Sequence, residues 1–180
     1  IKISQENLDL INVINSDEIN NVCFECGLVN PKFLSLNNAV FLCTSCVQGH
    51  YKFPKEISNI FQKDFNLFST KELKYLLKGG NKNLIEFINF EYPELKRCPP
   101  YLLYKTRALE YYRKRLKYLV EVDIKPPQPT LGVAYKTINL KNITDNYDSN
   151  AEIYKRQIIL GEDKNSFKLS PGMFSFIIER

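Results

Sequence analysis

The sequence predicts a cysteine-clasped domain in which helices surround a hairpin, followed by a linker and an extended tail. Three observations predict it. Two Cys-x2-Cys pairs, Cys23/Cys26 and Cys43/Cys46, stand sixteen residues apart. On either side of them, apolar residues recur at helical spacing between recognisable caps. Past Asp123, prolines and polar runs replace that periodicity. A chain of 180 residues accommodates one domain plus a tail, and a hydrophobic fraction of 44% with 13% aromatic residues places it among globular rather than disordered proteins. No apolar run reaches the length of a membrane span, and residues 1–15 lack a basic flank followed by an apolar stretch. A soluble, cytosolic protein is therefore expected. The chain begins with Ile and reads as a fragment, in which a signal at the true N-terminus would be missing.

The first element is a short amphipathic helix: Ser4 can cap it, and Leu8, Leu10, Ile11 and Ile14 follow at roughly helical spacing. It leads into the cysteines. Each close pair can set two sulfurs on one knuckle, Gly27 suits the turn after the first, and the insert is long enough to return through a hairpin. Two knuckles brought together make a tetrahedral four-thiolate site, so Cys23, Cys26, Cys43 and Cys46 are predicted to bind one structural zinc ion. The alternatives, unlinked core cysteines or two disulfides, fit a cytosolic chain and this doubled spacing poorly. A closed four-cysteine site has no open position for water or substrate, which argues against metal catalysis. Cys98 stands apart and reads as a small packed residue.

Ser69 with Glu72 is a capping-box pattern opening a helix whose apolar face is Leu73, Leu76 and Leu77, and Gly79-Gly80 is its stop. Leu84, Ile85, Phe87 and Ile88 predict another short helix, ended before Pro93. Pro99-Pro100 opens an element from about Tyr101 to Leu119, with Leu102, Leu109, Leu116 and Leu119 available to pack. Between Tyr101 and Tyr118 lie Lys105, Arg107, Arg113, Lys114, Arg115 and Lys117 against Glu110 alone, so this window holds a net charge equal to that of the whole chain, +5. An acidic partner would be met chiefly there. A solvated helix face is the simpler reading, since no second basic surface accompanies it. Residues 121–180 read as a proline-containing linker and an extended tail that docks on the domain at residues 1–120, through short strands at Val133 to Leu140 and Phe167 to Ile178.

The stretch from Cys23 to Ile60, CFECGLVNPKFLSLNNAVFLCTSCVQGHYKFPKEISNI, resembles the zinc-finger module of the Arf GTPase-activating proteins, whose pattern is Cys-x2-Cys-x16-Cys-x2-Cys-x4-Arg. Asn30-Pro31, Ser35, Asn37, Val40-Phe41-Leu42, Gly49-His50 and Ile57-Ser58 fit the same family, as do ELKYLLKGGN from Glu72 and YKTRALEYYRKRL from Tyr104. The likeness covers about residues 5–120. It implies an α+β fold, a small three-stranded sheet with a four-cysteine zinc finger surrounded by helices. It also implies the activity: binding an Arf-type small GTPase in its GTP form and stimulating hydrolysis, so that the chain would be a GTPase activator of vesicle traffic rather than an enzyme with its own substrate. The surface expected to meet the partner is that around Phe33, His50 and Tyr51.

The family's working group is an arginine just beyond the last cysteine knuckle, and arginine fingers are worth about 10³ to 10⁵ in rate. Here Tyr51 holds that position and Lys52, beside it, is the candidate substitute. The phenol is neutral at pH 7 and an ammonium lacks the guanidinium fork. Phe33 and Phe68 replace the family's usual tryptophans, Ala39 its glycine, and Pro54 and Glu56 its Gly and His. His50, the only histidine, reads as structural or partner-facing rather than as a ligand. Two rival functions follow: a non-catalytic scaffold or effector of the same fold, and a zinc-dependent module using the basic helix 101–118 to bind nucleic acid, the less expected target, or anionic lipid. The expected location is cytoplasmic, with peripheral contact at Golgi or endosomal membranes through that helix.

Overall fold

The structure, a computed structural model, describes residues 3–138. Helix α1, Gln5–Ser16, begins where Ser4 accepts the Asn7 N–H and buries Ile14. A 3-10 turn, Glu18–Asn21, is capped by Asp17 and delivers the chain to the first cysteine pair. Strands β1, Phe33–Ser35, and β2, Val40–Leu42, form the hairpin between the pairs, and β3, Ile60–Gln62, adds to the far side of β1. All pairing is antiparallel, in the order β2-β1-β3, with Leu34 opposite Phe41 and Phe61. Two apolar clusters meet at the sheet. Leu34, Val40 and Phe41 belong to the main core, while Phe33 and Leu42 pack against the cysteines.

Between the strands lies α2, Val47–His50, which starts at Cys46. Helix α3, Thr70–Lys78, carries the complete Ser69–Glu72 capping box and buries Leu73 and Leu76. Gly79 separates it from α4, Gly80–Glu91, so the glycine pair is a junction between two helices and α4 starts four residues before Leu84. The turn is tight: Gly80 has φ 84° and gives its N–H to Ala39 O. Asn81, the second residue of α4, is fully buried and stitches three segments together. Its Oδ1 accepts the Phe41 N–H of β2, and its Nδ2 donates to Ile19 O and Val22 O.

The element expected over 101–119 is two helices. Pro99-Pro100 opens only α5, Pro100–Leu103, and Thr106 caps a separate α6, Arg107–Glu121, by accepting the Leu109 N–H. Helix α3 packs on α1 and α6, and α4 on β2. Beyond Asp123 the chain returns along the domain. Tyr92 donates its hydroxyl hydrogen to Pro129 O, α7 spans Leu131–Ala134, and Thr137 bridges Thr106. The described part of the Val133 to Leu140 patch is thus a helical turn and a single bridge rather than a strand. The Phe167 to Ile178 patch and the rest of the tail lie outside the described residues.

Candidate metal centre and presented surface

Both knuckles are local turns that the backbone closes by itself. Gly27 takes φ 72° and bonds its N–H to Cys23 O, and Val47 N–H reaches Cys43 O at the start of α2. The hairpin then brings the pairs together: the four sulfurs all lie within 4.8 Å of one another, with Cys26 Sγ 3.6 Å from Cys43 Sγ. Four sulfurs at about 2.3 Å from a tetrahedral centre would sit a little under 4 Å apart, so the donors fit one metal ion. All four are free of disulfides. Sulfurs packed this closely compete for protons. The Cys46 hydrogen bond pulls the Cys23 thiol down to about 5, while that bond and then burial drive Cys46 far upward. A cation removes this conflict by letting all four ionise. Among the described residues this is the one such cluster. Cys98, 2% exposed, is packed in the main core, where burial raises its thiol.

His50 is not on the surface. It is 2% exposed, with Nδ1 2.6 Å from Ser58 Oγ and Nε2 2.6 Å from Glu25 Oε1, and its ring stands edge-on to Tyr104 and Phe53. The partner-facing expectation for this residue is therefore replaced by a structural one: it ties α2 to the first knuckle. Glu25, inside the Cys-x2-Cys pair, had no signal in the sequence beyond its position. Phe33 is half-buried against the cysteine cluster, so only part of its ring faces outward. What this end of the molecule presents is Tyr51, 57% exposed at the end of α2, the exposed Lys52 beside it, and Leu28 and Val29, 56% and 63% exposed, after the first knuckle.

The basic window looks different in three dimensions. Arg113 is buried, donating from Nη1 to Asn38 Oδ1 and Tyr104 O, and burial lowers it to about 10. Lys105 is also buried, its ammonium over the Phe53 ring and lowered to about 8 by burial. The four outward cations are each paired: Arg107 and Lys114 with Glu110, Arg115 with Glu91, and Lys117 with Asp123. A helix so neutralised offers little net field to a phosphate backbone or an anionic bilayer. No helix among the described residues is long and apolar enough to cross a membrane.

Residues 9–118 match the family model described as "Putative GTPase activating protein for Arf". The chain is 31% identical over 116 residues to ADP-ribosylation factor GTPase-activating protein 3 of Bos taurus, a match covering 64% of this chain and 22% of that protein. It is 28% identical over 102 residues to ADP-ribosylation factor GTPase-activating protein GCS1 of Saccharomyces cerevisiae, covering 57% and 29%. A solved Cryptosporidium parvum structure, described as a "putative GTPase activating protein for ADP ribosylation factor", superposes with a TM-score of 0.48 at 23% identity, covering 67% of this chain and 93% of that one. The chain thus spans between 22% and 29% of the length of these two curated relatives.

Proposed function

Because the chain belongs to the Arf GTPase-activating-protein family, we propose that it is a regulator that docks an Arf-type small GTPase in its GTP form on the surface at the end of α2, and that it adds little to hydrolysis. The observation that carries the reading is the exposed pair Tyr51 and Lys52. Tyr51 stands at the family's arginine position and projects from a helix anchored at both ends, by Cys46 at its start and the buried His50 ring at its close. The placement suits a partner contact. The chemistry does not suit a finger, because a neutral phenol donates one hydrogen bond and brings no charge to the transition state. Lys52 is charged, yet its ammonium is a point charge without the planar fork that grips two phosphate oxygens at once. Four thiolates, with no fifth donor grouped with them among the described residues, suit zinc, held by Cys23, Cys26, Cys43 and Cys46, whose contribution would be to clamp the two knuckles. Binding falls to the presented surface; rate enhancement would have to come from groups of the GTPase itself.

Single-turnover GTP hydrolysis by a panel of Arf-type GTPases, with and without the chain, tests both parts. The expected result is a measurable complex with one GTP-loaded member, acceleration under about tenfold, and a gain of at least about tenfold on Tyr51→Arg. Wild-type acceleration near 10³, unchanged in Tyr51→Phe and Lys52→Ala, would overturn the weak-activator part. Absence of binding to every GTP-loaded member would overturn the whole.

A further inference from the structure

A buried chain of hydrogen bonds crosses the domain from α6 to the first knuckle. It starts at Arg113, whose Nη1 lies 3.1 Å from Asn38 Oδ1 and 3.0 Å from Tyr104 O. Asn38 Nδ2 reaches Ser35 Oγ at 2.8 Å, and also Ile57 O at 2.8 Å. Ser35 Oγ is 2.8 Å from Ser58 Oγ, Ser58 Oγ is 2.6 Å from His50 Nδ1, and His50 Nε2 is 2.6 Å from Glu25 Oε1. The links belong to β1, the hairpin turn, the segment before β3, α2 and the knuckle. None of the four intermediate residues, Asn38, Ser35, Ser58 and His50, is more than 4% exposed.

The inventory of donors allows one continuous direction along the chain of bonds. Guanidinium can only donate, so it fixes Asn38 Oδ1 as acceptor and leaves the amide nitrogen to donate to Ser35. Ser35 then has one proton to give. Ser58 at 2.8 Å is a nearer acceptor than Asn37 Oδ1 at 3.2 Å, and Asn37 Oδ1 already takes the Asn59 N–H at 2.9 Å. Ser58 in turn is left with its proton for Nδ1 of His50, whose Nε2 bonds the Glu25 carboxylate. This assignment uses every hydroxyl once as donor and leaves no link facing another donor. The dipoles run head to tail from a cation to an anion, the arrangement in which each bond strengthens the next.

We propose that Arg113 is a positioning residue for the presented surface: through Asn38, Ser35 and Ser58 it fixes the His50 ring, and with it the end of α2 that exposes Tyr51 and Lys52. The proposal builds on the reading of that surface as the one facing the GTPase. Removing Arg113 strands two buried acceptors and frees Asn38 to turn, so that the effect appears at α2 although neither Arg113 hydrogen bond reaches that helix.

The test is amide hydrogen exchange on Arg113→Met and on the milder Ser58→Ala, alone and combined, which stays informative where Arg113→Met alone fails to fold. The amides of Tyr51, Lys52 and Phe53 all bond locally, to Val47 O, Gly49 O and His50 O. Each single variant should speed their exchange by about tenfold or more beyond any change in α4 amides, and Arg113→Lys should restore part of the protection. The two substitutions should be non-additive, the double variant exchanging within about twofold of the faster single variant. Uniform acceleration across the domain, or additive effects, would overturn the proposal. Affinity for a GTP-loaded Arf-type GTPase, measured in parallel, should fall in the same order. Should exchange shift as stated while no GTPase binds even the wild type, the positioning role stands and the functional reading fails.

Discussion

Ala39 shows how one backbone angle reaches across the fold. It closes the turn between β1 and β2 at φ 51°, a left-handed conformation that costs an alanine about 1 kcal/mol, and the family's usual residue at this position is glycine. The methyl group points inward, with no exposure at all, and the reason glycine stands at 79 is found there: a Cβ on Gly79 would sit 2.2 Å from Ala39 Cβ, and 3.1 Å from Tyr75 O. Neither atom can swing away, since both Cβ atoms are fixed to backbone. Gly79→Ala should therefore destabilise the domain by about 3 kcal/mol or more, the upper range for overpacking. Ala39→Gly alone should be near neutral, because relief of the left-handed strain offsets the lost methyl and the added freedom of the unfolded chain. The double variant should recover a good part of the Gly79→Ala loss in urea melts. If the two changes simply add, the collision with Ala39 is not what requires glycine at 79.

Helix α6 shows which parts of an element can be read in advance. Its apolar stripe Leu109 and Leu116 was visible, and the same period places position 113 on the buried face, four residues after Leu109 and three before Leu116. An arginine there reads as surface by residue type and as core by spacing, and spacing was the stronger signal. The start of the helix was less legible: the proline pair suggested a start at about Tyr101, while the cap is Thr106, whose side chain does the work that Ser4 and Ser69 do elsewhere. The ion pairs were not legible at all, because Glu91 and Asp123 lie outside the helix and only the fold sets them against Arg115 and Lys117. Glu110 is the centre of the outer face, accepting from Arg107 at 2.7 Å and Lys114 at 2.9 Å. Burial opposes ionisation of Glu110, but the Arg107 and Lys114 bonds outweigh it and hold the carboxyl below its usual range. Its folded value is depressed, so these bonds contribute stability above the ordinary carboxylate pKa and lose it as pH falls through the folded one. Glu110→Gln frees both cations at neutral pH. The outer face thereby gains one unit of net positive charge, and at about 1 kcal/mol per basic charge near an anionic bilayer this should raise binding to phosphatidylserine vesicles by about fivefold over a weak wild type, with the gain lost at high salt. Equal cosedimentation of the two proteins would show that pairing is not what silences the helix.

At the scale of the whole molecule, the metal knuckles were readable because ligand spacing is a local code, whereas the sheet was not. Strands of three residues are too short for any periodicity to declare them: the length of the insert called for a hairpin, and only the family resemblance anticipated a third strand. The His50 and Arg113 links depend on residues 8 and 75 positions away, at Ser58 and Asn38, and no local rule reaches that far. The two clusters that meet at the sheet decide what the metal is needed for. In one, Cys23, Leu42, Cys43 and Val47 pack with Phe33 and Ile60; the other, the main core, runs through α3, α4 and α6 without using a cysteine ligand. Small zinc fingers unfold without metal because they have no second core. This chain has one, so a strong chelator should melt the knuckles and leave the helices standing. The amides of Cys23 and Gly27 should lose protection, since their carbonyl partners Leu28 and Cys23 belong to the clasp. The far-UV helical signal should stay largely intact, and Asn81, which holds Phe41, Ile19 and Val22 from the core side, should mark the boundary between loosened and retained structure. Cys43→Ser should reproduce the chelated state without chelator. Complete loss of helicity on metal removal, in one transition shared by both clusters, would show instead that the clasp and the core are a single cooperative unit.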